Sequence, residues 1–402
     1  MINQPSTCLT LPPDHLGLYI HIPFCVRKCH YCDFVSQALS ADNPQVERYL
    51  DALAIESAQR RADIVRPLHS IYIGGGTPTV LTGNQLRRLW EDVIAPFPCC
   101  EDVEITLEAN PGTLTEDILN ALATLPITRV SLGAQSFSSA ELAVLGRIHS
   151  PAAVGEAVQA IRQTGISRIN IDLIYALPGQ SVAGWLENMR QALALCPDHL
   201  SCYSLILEEN TPLARQMLAG VLAMPDEEEE EKMLAGMETL LASSGLRLYE
   251  VSNAARPGAH SRHNLGYWLG RDYLGLGTAA ASAYGALRWR NSTDTAYYIA
   301  RQHAVLPSIE YAERLSARRR LLEQVMLGLR LRDGFHLTAA EVDCGCSLRG
   351  ITGDVLTSLY KEQLLEQKDE ILRLTTGGYQ LANQVVSRLM AAAEREDSGF
   401  NA

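Results

Sequence analysis

Several features that mark common protein classes are missing from this sequence. No apolar run reaches the roughly 18 residues that a membrane-spanning helix needs. Residues 1–15 have no basic region followed by a long apolar stretch, so we do not expect a secretory signal. Internal repeats and low-complexity tracts are absent as well. We therefore expect a cytoplasmic protein that is not integral to the membrane and that associates with a membrane only through its partners.

Positive charge is also scarce. The chain has 34 Lys and Arg residues against 46 Asp and Glu residues, a net charge of −12. This balance argues against a nucleic-acid partner, because such binders usually carry a basic patch, and against a polybasic membrane anchor. By contrast, 47% of the 402 residues are hydrophobic, enough for a full core in two or three domains. Ten cysteines in a cytosolic protein indicate metal binding or catalysis rather than disulfides.

Strand-like and helix-like segments alternate along most of the chain. Apolar residues recur at helical spacing between β-rich runs, for example at Val46, Tyr49, Leu50 and Leu53. The six predicted strands are Gly17–Ile22, Ser70–Ile73, Glu104–Glu108, Arg129–Ala134, Arg168–Ile174 and His199–Leu207. This alternation predicts an α/β fold with parallel strands, here a partial (β/α)6 barrel whose functional groups lie at the carboxyl ends of the strands.

The pattern changes beyond the barrel. The acidic run Glu227–Glu231 is typical of a helix amino terminus, where carboxylates favour the positive end of the dipole. We predict an N-terminal tail over residues 1–15, a core barrel over 16–245, a barrel extension over 246–310 and a small C-terminal helical or winged-helix-like domain over 311–402. In the last of these, Gly377 and Gly378 predict a turn before a short strand, Tyr379–Leu381.

The strongest motif is Cys25-x3-Cys29-x2-Cys32, directly after the first predicted strand. A zinc ion needs four ligands, and only His30 or Asp33 is near enough in sequence to supply the fourth. A [4Fe–4S] cluster held by three cysteines leaves one iron open. S-adenosylmethionine can chelate that iron, and an electron from the cluster can then cleave the sulfonium. The spacing favours the cluster, with zinc and a chance arrangement as alternatives.

Other predicted strands also end in glycine or polar residues. The second ends in Gly74–Thr79, where glycines allow close approach to a ligand, although a tight turn explains them equally well. The third ends at Glu108, and the fourth at Gln135. The fifth carries Asp172 between apolar neighbours, either as part of a ligand site or in a structural ion pair with Arg147 or Arg168. Together these strand ends predict a ligand site beside the cysteine loop.

The sequence resembles the radical SAM proteins grouped around oxygen-independent coproporphyrinogen III oxidase. The segments that carry the resemblance are Tyr19–Cys32, Gly74–Thr79, Glu108–Pro111, Leu132–Phe137, Leu145–Arg147 and Asn170–Gly179, and the resemblance extends over roughly residues 15–390. It implies a radical SAM barrel in which Cys25, Cys29 and Cys32 ligate the cluster. Tyr19, Gly75 and Glu108 would contact the bound S-adenosylmethionine. A second S-adenosylmethionine would contact Tyr31, Gly76, Thr77, Gln135, Arg147, Asp172 and Ile206.

The family has an oxidase branch and a haem chaperone branch, and this sequence resembles the second. The oxidases continue the motif as Cys-x-Cys and carry a long amino-terminal extension, whereas here Phe34 follows and about 16 residues precede the first strand. The chaperone branch has a His-Asn-x-x-Tyr-Trp motif, found here at His263–Trp268. A neutral imidazole is a good axial haem ligand, so the resemblance gives this role to His263, although spacing alone makes it an ordinary loop histidine. Relatives also have a histidine near Gly275–Ser282, which this chain lacks.

Three hypotheses follow from these features. The first is a haem chaperone that binds haem, a [4Fe–4S] cluster and S-adenosylmethionine, passes haem to apo-haem proteins of the respiratory chain and forms a homodimer. The second is an oxygen-independent coproporphyrinogen III oxidase, which decarboxylates propionate groups by radical chemistry. The third is a zinc-stabilised scaffold without catalytic activity.

Overall fold

The computed structural model describes residues 8–62 and 64–399, which form strands and helices in alternation through most of the chain. The strands are β1 (Leu16–Ile22), β2 (Phe24–Cys25), β3 (Gln37–Ala38), β4 (Leu68–Gly75), β5 (Cys99–Ala109), β6 (Arg129–Gln135), β7 (Arg168–Tyr175), β8 (His199–Ser204), β9 (Arg247–Leu248), β10 (Asn253–Ala255), β11 (Asp272–Leu276), β12 (Ala281–Tyr284), β13 (Leu287–Asn291), β14 (Ile309–Arg314), β15 (Phe335–His336), β16 (Leu365–Lys368) and β17 (Ile371–Leu374).

The helices follow the strands of the barrel and then dominate the carboxyl-terminal region. They are α1 (Pro44–Arg61), α2 (Gly83–Arg88), α3 (Glu116–Leu122), α4 (Ser139–Leu145), α5 (Pro151–Gln163), α6 (Val182–Ala194), α7 (Pro212–Leu218), α8 (Glu227–Ser243), α9 (Arg262–Trp268), α10 (Thr295–His303), α11 (Ala317–Gly328), α12 (Leu337–Cys344), α13 (Leu348–Thr352), α14 (Asp354–Lys361), α15 (Thr376–Gln380) and α16 (Ala382–Gly399). In the described part of the chain, no helix is both long enough and apolar enough to cross a membrane.

The predicted barrel strands form one sheet. Its order is β14-β13-β12-β11-β1-β4-β5-β6-β7-β8-β10-β9, and β11, β1 and β4 to β8 pair in parallel. The α/β architecture and all six predicted strands are therefore confirmed, although β8 ends at Ser204 rather than Leu207. After Ser204 the chain leaves the sheet, because Leu205 packs with Leu177 and Leu213 in a separate apolar cluster.

Local sequence explains where the helices begin. In α1, the Asn43 side chain accepts a hydrogen bond from the Gln45 N–H, and Pro44 occupies the first turn, where its missing N–H costs nothing. The acidic run predicted to start a helix does so in α8, where Asp226 and Glu229 form a capping box. The buried faces of the barrel helices pack on the outward apolar residues of the strands to form the main core.

The carboxyl-terminal region has its own core and a winged-helix-like order of elements. Helices α12, α13 and α14 precede the hairpin β16–β17, and β15 pairs with β17. The predicted strand Tyr379–Leu381 is wrong, because Thr375 caps a helical turn there by accepting from the Gly378 N–H. The domain boundaries at residues 15, 245 and 310 remain predictions.

Helix α9 lies between the barrel and the carboxyl-terminal core. Its Leu265 packs in the second core with Leu321 and Val325 of α11. Its His263 side chain points the other way, into the barrel, where it reaches Ser70 of β4. The segment that carries the His-Asn-x-x-Tyr-Trp motif is therefore fixed on two sides.

Candidate functional site

The three motif cysteines lie on the segment that follows β1, where Cys25 ends β2, and each is a half-buried free thiol. Two backbone hydrogen bonds fasten the start of this loop to the end of β4: the Gly76 N–H donates to Ile22 O (2.8 Å) and the Thr77 N–H donates to Phe24 O (2.7 Å). A Cβ at position 76 would lie 2.6 Å from the Phe24 carbonyl oxygen, so only glycine fits there. The loop is thus held at the carboxyl end of the strands, as the sequence predicts.

Two of the three thiols receive side-chain hydrogen bonds, one from a residue just after β4 and one from a residue just after α4. The Thr77 hydroxyl donates to Cys25 Sγ (3.6 Å), and Arg147 Nη1 donates to Cys29 Sγ (3.4 Å). Asn110 joins the two donors, because its Nδ2 donates to Thr77 Oγ1 (2.8 Å) while its Oδ1 accepts from Arg147 Nη2. We call this set of Thr77, Asn110 and Arg147 the thiol relay. Donors of this kind stabilise thiolates, which is what an iron–sulfur cluster requires.

His30 has partners other than a metal. Its Nδ1 lies 3.0 Å from the Val144 carbonyl oxygen and its Nε2 lies 3.4 Å from Arg27 Nη2. A Cβ on Gly146 would meet the His30 ring at 2.7 Å, so the ring packs closely against the end of α4. Within residues 8–62 and 64–399, no three histidine, cysteine, aspartate or glutamate side chains gather to hold a single metal ion.

The residues predicted to contact the first S-adenosylmethionine are Tyr19, Gly75 and Glu108, which lie on the neighbouring strands β1, β4 and β5. The Glu108 carboxylate accepts from the Tyr72 hydroxyl (2.7 Å) and from the Gly75 N–H (3.0 Å). Burial raises the pKa of Glu108 to about 7, against the opposing effect of the Tyr72 hydrogen bond. Tyr19 bonds through its hydroxyl to His21 Nδ1 (2.9 Å), and its ring stacks beside that of Tyr72. A cationic amino or sulfonium group at this point would favour the ionised form of Glu108.

The residues predicted for a second S-adenosylmethionine do not all meet. Thr77 and Arg147 belong to the thiol relay, and the Gln135 side chain lies close by, since a Cβ on Gly133 would be 3.0 Å from Gln135 Nε2. Ile206 is different, because it stands 72% exposed beyond the end of β8.

Two further members of this set have partners of their own. Tyr31 packs against the apolar cluster around Leu213, and its hydroxyl is close enough to Arg147 and Asp172 for both charges to act on its pKa. Asp172 accepts hydrogen bonds from Ser131 Oγ (3.0 Å) and Asn170 Nδ2 (2.6 Å). Burial raises the pKa of Asp172, and hydrogen bonds from Ser201, Ser131 and Asn170, together with the charge of Arg147, oppose that rise.

His263 lies at the opposite, amino-terminal end of the barrel. Its ring packs over Gly17, its Nδ1 lies 3.0 Å from Ser70 Oγ and its Nε2 lies 2.8 Å from the Tyr267 hydroxyl. Only 2% of His263 is exposed, and burial lowers its pKa to about 3. Ile22 lies five positions after Gly17 along β1, which at the strand rise places His263 roughly 17 Å from the cysteine loop. Both ring nitrogens are therefore occupied, far from the predicted cluster.

A buried ion pair holds the segment that leads into α9. Arg129 Nη2 bonds to Glu104 Oε2 (3.0 Å) and donates to the carbonyl oxygens of Ala259 (2.9 Å) and His260 (3.2 Å). Glu104 Oε1 in turn accepts from the Arg262 N–H (2.8 Å) at the start of the helix. This pair fixes the His-Asn-x-x-Tyr-Trp motif against the barrel interior.

Sequence reasoning missed Tyr72, Asn110, Glu104 and Arg129. The missed signal was alternation: in β4 to β8, polar inward residues alternate with apolar outward residues. The inward polar set includes Ser70, Tyr72, Glu104, Thr106, Glu108, Arg129, Ser131, Asn170, Asp172, His199 and Ser201. Several of these side chains line a cavity of about 20 Å³ inside the barrel.

Comparison with known proteins agrees with this geometry. The chain matches the radical SAM superfamily over residues 19–192, which include the three cysteines, and the HemN C-terminal domain over residues 315–381. Members of the superfamily hold a [4Fe–4S] cluster and S-adenosylmethionine, so the family implies the cluster rather than zinc. The structure of coproporphyrinogen III oxidase (HemN) from Escherichia coli superposes with a TM-score of 0.81 over 94% of this chain and 91% of that one, at 22% identity, which shows a shared fold.

Curated relatives extend the match over almost the whole chain. The heme chaperone HemW of Mycobacterium tuberculosis is 36% identical over 94% of this chain and 96% of its own length. The heme chaperone HemW of Lactococcus lactis is 34% identical over 92% and 96%. That of Escherichia coli is 40% identical over 67% of this chain and 70% of its own. With such identity across both lengths, the chain belongs to the HemW family of radical SAM proteins.

Proposed function

We propose that this protein is a haem chaperone that works in the cytosol, holds a [4Fe–4S] cluster and S-adenosylmethionine, and delivers haem to apo-haem proteins of the respiratory chain. The observation that carries the proposal is the identity of 34% to 36% with proteins named heme chaperone HemW across more than 90% of both chains. Phe34, which is 67% exposed on the cysteine loop, supports this branch because the oxidases of the resemblance have a cysteine there.

The structure offers residues that fit the cluster and its ligand. Cys25, Cys29 and Cys32 would ligate the irons, and the thiol relay supplies hydrogen-bond donors to two of them. When bound, the cluster supplies an open iron for S-adenosylmethionine and an electron for its reductive cleavage. Glu108 would accept from the bound molecule on the inside of the barrel, and Gly75, at φ +104°, would let the backbone approach it.

Haem binding by His263 carries a structural requirement. Because Nδ1 is hydrogen-bonded to Ser70 of the barrel, iron ligation needs α9 to move away from β4. Ligation through Nε2 also needs a side-chain rotation that releases the Tyr267 hydroxyl, which lies one turn further along α9. The barrel cavity of about 20 Å³ is far below the roughly 300 Å³ or more of small-molecule pockets, so a tetrapyrrole also needs this displacement. We propose that haem is bound in such an opened conformation, with the rings of Tyr267 and Trp268 beside it.

One anaerobic experiment tests the function against the oxidase alternative. Reconstituted protein is loaded with haem and mixed with an apo-cytochrome, and haem transfer is followed by absorbance. A parallel sample receives dithionite, S-adenosylmethionine and coproporphyrinogen III. Haem transfer without decarboxylated porphyrin is the expected result. Decarboxylated porphyrin formed together with 5′-deoxyadenosine would establish an oxidase instead.

The proposed homodimer is checked on the same preparations. We expect sedimentation to show a dimer when the cluster is present. A monomer in both the cluster-loaded and the cluster-free samples would contradict this part of the proposal.

A further inference from the structure

The thiol relay has a fixed direction. A guanidinium can only donate, so the side-chain oxygen of Asn110 must face Arg147 and its amide nitrogen must face Thr77. The Thr77 hydroxyl therefore accepts from Asn110 and has its own proton free for Cys25 Sγ. The second arm of Arg147 donates to Cys29 Sγ. One amide thus orients the donors to two cysteines that lie on the same loop.

We propose that Asn110 is a positioning residue that holds these two donors on the cysteine thiolates and thereby makes the cluster easier to reduce. The proposal rests on the cluster of the proposed function. Hydrogen bonds to cluster sulfurs are one of the terms that set the reduction potential, because they stabilise the extra negative charge of the reduced state. Residues that orient metal ligands in this way change metal affinity by about 10- to 100-fold when they are replaced.

The surroundings of Asn110 keep it in place. Its backbone carbonyl accepts from the Thr113 N–H (3.0 Å) and the Thr113 hydroxyl (2.9 Å), in the turn that follows β5. A Cβ on Gly133 would lie 3.0 Å from Asn110 Oδ1, so β6 closes one side of the amide. Arg147 is held as well, because its Nη2 also donates to the Gly133 carbonyl (2.6 Å). The relay is therefore part of the folded framework rather than a flexible surface contact.

The test is a redox titration of the reconstituted cluster, followed by electron paramagnetic resonance, in full-length protein. Asn110→Leu removes both relay contacts without adding charge. Thr77→Val removes the donor to Cys25, and Thr77→Ser restores a hydroxyl. Asn120→Leu, at an exposed position of α3, is the matched control for the substitution itself. Iron content and melting temperature are measured for every variant.

We expect more negative midpoint potentials in Asn110→Leu and Thr77→Val, and the wild-type value in Thr77→Ser and Asn120→Leu. The double variant Asn110→Leu/Thr77→Val should shift the potential by less than the sum of the two single variants. A wild-type potential in Asn110→Leu with a full cluster, or fully additive shifts, would overturn the proposal. If Asn110→Leu fails to fold, equal potentials in Thr77→Val and Thr77→Ser would overturn it. A wild-type chain that takes up no cluster would instead contradict the proposed function.

Discussion

The hydrogen bond between Tyr267 and His263 gives a direct test of haem binding. If His263 ligates iron through Nε2, the 2.8 Å contact between Nε2 and the Tyr267 hydroxyl, one turn further along α9, must first be broken by a side-chain rotation. Tyr267→Phe removes that hydroxyl and keeps the ring. The apparent affinity of a ligand for a minor conformation scales with the population of that conformation. Any loss of closed-state stability therefore becomes a gain in haem affinity.

The size of the effect follows from the hydrogen bond. A neutral hydrogen bond contributes a net stabilisation of about 0.5 to 1.5 kcal/mol. Since about 1.4 kcal/mol is a tenfold change in an equilibrium constant, Tyr267→Phe should tighten haem binding by about 2- to 12-fold. The unpaired Nε2 that remains buried in the closed state adds to this destabilisation, so the range is a lower estimate.

The assay is a haem titration followed by Soret absorbance. Tyr273→Phe is the matched control, because its ring touches the Tyr267 ring edge-on while its hydroxyl forms no hydrogen bond with His263 in the described part of the chain. His263→Ala should lose the spectrum of a histidine-ligated iron. The reasoning is refuted if Tyr267→Phe binds haem no more tightly than wild type and His263→Ala keeps the wild-type spectrum.

Three other perturbations test the barrel interior. The pKa of Glu108 is about 7 in the folded protein rather than its ordinary 4.5, so the stability of the wild type falls as the pH rises from about 4.5 to about 7. In the cluster-free protein, the stability of Glu108→Gln relative to wild type should therefore increase by about 2 kcal/mol between about pH 5 and about pH 8. A stability difference that does not change with pH in denaturant unfolding would contradict this. Arg129→Met leaves the buried Glu104 without its charged partner, which should lower the free energy of unfolding by about 3–5 kcal/mol in chemical denaturation. The control Arg190→Met, in the exposed pair with Glu187, should lower it by less than about 1 kcal/mol. Equal losses in the two variants would show that burial of the ion pair is unimportant. Gly76→Ala should abolish cluster uptake, because the new methyl group would lie 2.6 Å from the backbone carbonyl oxygen of Phe24. The control Gly112→Ala should take up iron normally, because its methyl group would lie 3.8 Å from the nearest atom. A full cluster in Gly76→Ala would refute the packing argument.

The fold could be predicted from the sequence because its signals are local. Apolar residues at helical spacing place α1, and β-rich runs between turn residues place the six strands of the barrel. The failure at Tyr379–Leu381 has a different kind of cause, since Gly378 lies against Leu364, where a Cβ would be 1.8 Å from the carbonyl oxygen. That close contact is tertiary, and a pair of glycines alone does not distinguish a strand turn from a tightly packed helical turn.

The site was only partly predictable, because partners separated by many residues cannot be paired from one sequence. The cysteine spacing places three thiols on one loop, but it does not show that Asn110 connects Thr77 to Arg147. Likewise, nothing in the His263 motif shows that both ring nitrogens face the barrel. The sheet register decides these contacts; Ser70 and His263, for example, lie 193 residues apart in the sequence.

Arg147 has two proposed roles at the cysteine loop, as a hydrogen-bond donor to Cys29 and as a contact for a second S-adenosylmethionine. The resemblance gives this residue to a second S-adenosylmethionine, whereas the structure shows Nη1 on Cys29 and Nη2 on Asn110 and Gly133. Its buried Nε makes no hydrogen bond within the described part of the chain, so one donor remains for a ligand without disturbing the thiol relay. The donor hydrogens of a lysine all lie on one nitrogen, so they cannot reach Asn110, Cys29 and a ligand from separate positions as the three nitrogens of an arginine can. Arg147→Lys should therefore weaken both functions, whereas Thr77→Val should change the cluster potential and leave the Nε donor in place.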